Sequence, residues 1–171
     1  MTEKNNGLST QMKALKNTDL SSIIKLSGLM VPKLIGGFIP KLDMKQRSAF
    51  DKVFPVDGKK KVFIHLAGTP TPPIVIRFAQ PMKLKVYSEE KVSQQGIKGL
   101  TLSPEVLQLV MDKRYGKFLW AIKGQIGTLF SMAGMLTPFL GLGPKGIKDM
   151  QQKAMTHFKP LMDLMPGAKK Y

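Results

Sequence analysis

Between Val62 and Val86 the apolar residues return at every second position, a pattern that a strand can bury on one face and a helix cannot. Val62, Ile64 and Leu66 alternate with Phe63, His65 and Ala67; Ile74, Ile76 and Phe78 alternate with Val75, Arg77 and Ala79. Met82, Leu84 and Val86 alternate with Lys83, Lys85 and Tyr87. Successive side chains on a strand point to opposite faces. Arg77, Lys83 and Lys85 therefore fall on the outward side of a half-buried antiparallel sheet. Residues 68–72 and the Gln80-Pro81 pair supply the turns, so three strands form a meander.

A fourth strand is expected over about residues 97–102, running directly into Ser103-Pro104-Glu105. Serine caps a helix start, proline suits the first helical position, and glutamate suits the positive end of the helix dipole. That helix should end near Tyr115-Gly116, and a fifth strand should follow over about residues 117–122. A strand–helix–strand unit implies a parallel, right-handed crossover. Residues 43–54 read as a helix ended by Pro55 and Asp57-Gly58, and further helices are expected near residues 126–136 and 146–157. The fold class this gives is α+β: a five-stranded mixed sheet, made of the meander plus the crossover, with helices on one face.

Two stretches bear on membranes. Residues 124–144 contain no charged residue, which by length alone permits a span. Five of the 21 are glycine and Pro138 interrupts the middle, so transfer of such a helix into lipid would be poor. Residues 20–42 are apolar but interrupted by Lys25, Lys33 and Lys41, and Pro32 and Pro40 should break a helix there. One amphipathic helix from about Leu20, capped by Thr18 or Asp19, then a kinked arm, is the expectation. It either packs on the core or lies in a membrane interface. The chain then divides into an apolar, basic extension over 1–42, a domain over 43–165 and a tail over 166–171.

The uncharged stretch carries one apolar stripe of Ile126, Leu129, Phe130, Ala133, Leu136 and Leu140 and a second of Met132, Met135 and Phe139. A helix apolar on most sides must be covered on most sides, by core, lipid, partner or ligand. Methionine adapts to irregular neighbours, and the chain has 12.

Other chemistries find little support. The chain has no cysteine, which excludes disulfides and thiolate metal sites and fits a reducing compartment. His65 and His157 have no acids at ligand spacing, so no metal is expected. Residues 141–146 lack the pattern of a phosphate loop, no serine nucleophile elbow occurs, and Glu89-Glu90 read as a solvated loop. No cofactor and no catalysis are expected. The net charge is +16 and is spread along the chain, which favours an anionic surface. Nucleic acid is disfavoured because most aromatics lie in apolar contexts rather than among the lysines. The polar start, residues 1–11, shows no secretory signal, so the expected location is cytoplasmic, peripheral on membranes.

The order of elements, and above all the junction Leu100-Thr101-Leu102-Ser103-Pro104-Glu105-Val106-Leu107, resembles the sterol carrier protein 2-like family over roughly residues 43–157. Gly116-Lys117 and Ile122-Lys123-Gly124 resemble that family's fifth strand and glycine exit. The resemblance implies a lipid tunnel between sheet and helices, holding a fatty acid, fatty acyl or sterol-like ligand. Strand alternation would turn Trp120 inward with Phe118 and Ile122. The expected lining is those three with Leu129, Phe130, Met132, Met135, Leu136, Phe139 and Leu140. The expected membrane-facing cations are Lys25, Lys33, Lys41, Arg77, Lys83, Lys85 and Lys123. Two other roles stay open: docking on anionic membranes without extracting lipid, and presenting a lipid-like substrate to a partner enzyme.

Overall fold

A computed structural model describes residues 7–164, and the tail expected over 166–171 lies outside them. The chain is α+β with a mixed sheet. Strands β1 (Lys61–Leu66), β2 (Ile74–Arg77) and β3 (Lys83–Val86) form the expected antiparallel meander. After helix α4 (Glu89–Gln94), β4 (Lys98–Leu102) returns to the far side of β1 and pairs with it in parallel, giving the order β3-β2-β1-β4. The Glu89-Glu90 pair is thus not in a loop but in the first turn of α4, capped by Ser88 and suited to the positive end of its dipole.

Register puts Val62, Ile64 and Leu66 on the same face as Ile74, Ile76, Leu84, Val86, Leu100 and Leu102. The first helices cover this face: α1 (Thr10–Asn17) and α2 (Ser21–Phe38) bring Met12, Leu15, Leu20 and Ile24 against Leu66, Ile64, Ile74, Leu84 and Val86. The opposite face carries Lys61, Arg77, Lys83 and Lys85 around Val75, as the alternation requires.

Residues 7–42 of the expected extension are not set apart from the core. Leu20, Ile24, Ser27, Val31, Ile35 and Phe38 recur at three- and four-residue spacing and all are buried. The helix runs through Pro32, which was expected to break it, and gives way only at a 3-10 turn over Ile39–Lys41. An interior proline costs about 3 kcal/mol. Burying four large apolar side chains at about 1.5–3 kcal/mol each outweighs that. Gly28 sits where the helix crosses β3, so close that a Cβ would meet the Leu84 carbonyl oxygen at 2.8 Å. At the helix start, Asp19 accepts from the N–H and hydroxyl of Ser21, while the Leu20 N–H donates to the buried hydroxyl of Thr71 at 3.0 Å.

The expected fifth strand is instead helix α6 (Tyr115–Ala121). Helix α5 (Pro104–Met111) is capped by Ser103 as expected, then turns through Lys113 in the left-handed region. Phe118 and Ile122 stand four apart, a helical spacing, and both reach Leu100 and Leu102 from one side. The place a fifth strand would take is filled by one side chain. The Gln125 amide accepts from the Thr101 N–H at 2.7 Å and donates to the Thr101 carbonyl at 2.9 Å. The expected crossover is therefore absent here, and the parallel pair is β1 with β4.

Beyond the sheet, α3 (Met44–Val53), α8 (Thr137–Leu140), α9 (Gly143–His157) and α10 (Lys159–Met162) meet the C-terminal half of α2 in a second core around Phe38 and Phe50. Gln46 is its polar joint, with 1% of its surface exposed. Its amide nitrogen donates to the Asp149 carboxylate at 2.8 Å, and its oxygen accepts from Lys153 at 3.0 Å and from the Asp43 N–H at 3.1 Å. Gln46→Ala should cost about 2–3 kcal/mol, since it removes hydrogen bonds to a carboxylate and an ammonium and empties a buried site. For a chain of this size that lowers Tm by roughly 5–10 °C, measurable by circular dichroism. Hydrogen bonds from Lys153 and then Gln46 hold the Asp149 carboxyl below the usual carboxylate range. The joint is accordingly complete at neutral pH and weakens as pH falls through that lowered value.

Candidate functional site

The residues expected to line one tunnel separate into three groups. Ile122, 2% exposed, is plain core with Leu100 and Leu102, and Phe118, Leu129 and Met132 pack on that cluster. Phe139 packs on the second core. Trp120, Phe130, Leu136 and Leu140 are exposed, Trp120 at 73%, Phe130 at 66% and Leu140 at 68%. Trp120 was expected to point inward on a strand; on α6 it points outward, and the Lys123 ammonium lies 4.5 Å from its ring centre. Tyr115 and Leu119 on the same helix are exposed as well.

Helix α7 (Ile126–Met135) explains the division. Leu129 and Met132 face the sheet. On one side of that stripe, Ala133 helps to form an open apolar groove of about 430 Å³ with Leu136, Phe139, Leu140, Ile147 and Met150. On the other side, Thr128, Ser131 and Met135 line a second groove of about 560 Å³ with Lys59, Lys60 and Lys98. Both grooves beside α7 are open, and among the described residues the expected lining is divided between core, surface and grooves and does not enclose one tunnel.

The expected cations are similarly distributed. Lys25, Lys33, Lys41, Lys83, Lys85 and Lys123 are exposed. Lys25, Lys83 and Lys85 converge on a groove between α2 and β3 that also contains the exposed Leu29. Arg77 is half-buried and spends its Nε on the Gly58 carbonyl at 2.6 Å, which ties it to the turn before β1. Lys41 donates to Nδ1 of His157 at 3.1 Å, while Nε2 of that ring donates to the Leu34 carbonyl, so the two nitrogens hold α9 to α2 and to the 3-10 turn that follows it. His65 lies 3.4 Å from Glu89. Among the described residues no three His, Asp or Glu side chains come together as a metal site.

Sequence reasoning missed Lys59, Lys60 and Lys98 as lining of one groove, because strand pairing, not sequence distance, brings them together. It also missed a simpler signal. Between Lys113 and Lys148 there is no Asp or Glu, while Arg114, Lys117, Lys123 and Lys145 all fall in that run. The exposed apolar side chains of α6–α8 lie inside it. The segment Ser21–Lys41 is long and apolar enough to cross a membrane by length and composition, yet its buried stripe is used in the fold.

Comparison with protein-family models, with curated proteins and with solved structures finds no match to this chain.

Proposed function

We propose that this chain is a non-catalytic lipid-binding protein that works on anionic membrane surfaces, peripheral and on the cytoplasmic side. The observation that carries the proposal is the exposure of four large apolar side chains on α6–α8, Trp120, Phe130, Leu136 and Leu140, within a run free of acidic residues. A tryptophan with a lysine over its ring suits a bilayer interface, where the ring meets acyl chains and the ammonium meets headgroups. Basic residues near an anionic leaflet add about 1 kcal/mol each. The resemblance to sterol carrier domains enters as a second element of the same proposal. The apolar groove between α7–α8 and α9 lies within the size range of small-molecule sites and offers an acyl chain a place to lie. Phe139, Leu136 and Leu140 belong to it, and the last two are among the four exposed side chains.

Vesicle co-sedimentation tests this. Bound fraction should rise with the share of anionic lipid and fall at least tenfold between about 0.05 and 0.5 M salt, as screening shortens the reach of the charges. Indifference to lipid charge and salt would overturn the membrane proposal. Acyl lipid that stays with the protein through gel filtration, seen by mass spectrometry, would support the groove; its absence would leave surface docking alone.

A further inference from the structure

The groove on the other side of α7 differs in chemistry from the apolar one. Lys59 and Lys60 stand just before β1, and Lys98 opens β4, paired across from Val62. Parallel pairing of β1 with β4 therefore sets three lysines at one end of the sheet. Lys61 also lines the groove, with its ammonium 5.9 Å from the Tyr87 ring centre. The groove is also lined by Thr128 and Ser131, with Met135 one turn further along α7. No carboxylate lines this groove, so nothing in its wall neutralises the lysines.

We propose that this groove binds a phosphomonoester, the terminal phosphate of a phosphorylated lipid headgroup. The inference rests on the membrane reading and narrows it to one headgroup chemistry. A phosphomonoester carries about −1.5 to −2 charge at neutral pH and three strong acceptor oxygens. Three lysines supply point charges that such a group satisfies better than a singly charged diester. Two hydroxyls supply directed donors. The same helix carries the exposed Phe130, so the groove and an apolar side chain available to the acyl region belong to one element. A soluble phosphomonoester shares this chemistry, and the test separates the two sources.

Vesicles of phosphatidylcholine doped with phosphatidic acid are compared with vesicles doped with phosphatidylserine to equal surface charge, using the full chain. Binding to the phosphatidic acid vesicles should be about fivefold tighter, the effect of roughly one extra charge contact. The triple variant Lys59→Ala, Lys60→Ala, Lys98→Ala should lose that preference, while Lys13→Ala, Lys45→Ala, Lys148→Ala should weaken both vesicle types alike and keep it. Glycerol 3-phosphate is added in a second arm, followed by broadening of its phosphorus resonance. Broadening that the Lys59/Lys60/Lys98 variant abolishes, without any vesicle preference, assigns the groove to free phosphomonoesters. Equal binding to both vesicle types with no broadening overturns the groove proposal and leaves surface docking standing. No vesicle binding together with broadening overturns the membrane reading and keeps the phosphate site.

Discussion

Alanine at position 99 is expected to prevent stable folding. Gly99 stands in β4 opposite Phe63 of β1, and a Cβ there would lie within the van der Waals envelope of the Phe63 carbonyl oxygen and against its ring. The ring could swing aside, but the oxygen belongs to the backbone of β1, an interior strand of the sheet. Relief would require β1 and β4 to move apart, along with Leu100 and Leu102, which join the sheet to α6 and α7. The cost should be at least about 3 kcal/mol, the range reserved for overpacked cores and displaced backbone. Adding Phe63→Ala should not restore the loss, since the oxygen remains. Gly116→Ala is the control: its Cβ would meet nothing within 4 Å, and alanine in a helix gains up to about 1 kcal/mol over glycine. Thermal denaturation of the three variants checks this. A Gly99→Ala protein that melts with the wild type would show that the strands can separate at no cost.

The second large effect is on partition into membranes. The triple variant Trp120→Ser, Phe130→Ser, Leu140→Ser removes three exposed side chains from α6, α7 and α8. Partial immersion of each should be worth about 1–2 kcal/mol. Their joint loss should weaken vesicle binding by roughly two orders of magnitude or more. Because all three are exposed, Tm should hardly change, which separates a binding defect from an unfolding one. The residual binding should keep its salt dependence, since the cations are untouched. Unchanged affinity would remove these side chains from the membrane proposal.

How far the sequence could be read depended on how local the deciding contacts were. The meander was legible because alternation is written into consecutive residues, and the outward lysines Lys83 and Lys85 followed from it. The Ser103 cap was legible for the same reason. The fate of residues 117–122 was not, because a short apolar run suits strand and helix alike. What decided it was the position of Gln125 on the edge of β4, a contact across 24 residues. Pro32 misled in the other direction: its local cost was correctly weighed, but the buried stripe from Leu20 to Phe38 had to be seen against the sheet to outweigh it. At the candidate site, the apolar content of α7 and α8 was plain, yet which residues became core and which became surface turned on the helical state of α6. With that assigned as a strand, Trp120 was placed inward; as a helix, it faces out.

The Gln125 amide has a further consequence if the protein gathers on membranes as proposed. An uncovered strand edge is a template on which a neighbouring chain can add its own strand. Here the outward N–H and carbonyl of Thr101 are already occupied, and the group that occupies them is a side chain, which leaves no new edge behind it. A fifth strand would only have moved the sticky margin outward by one position. Crowding in two dimensions raises the encounter rate between copies of the chain, and at Thr101 this edge offers them no free pair of backbone groups.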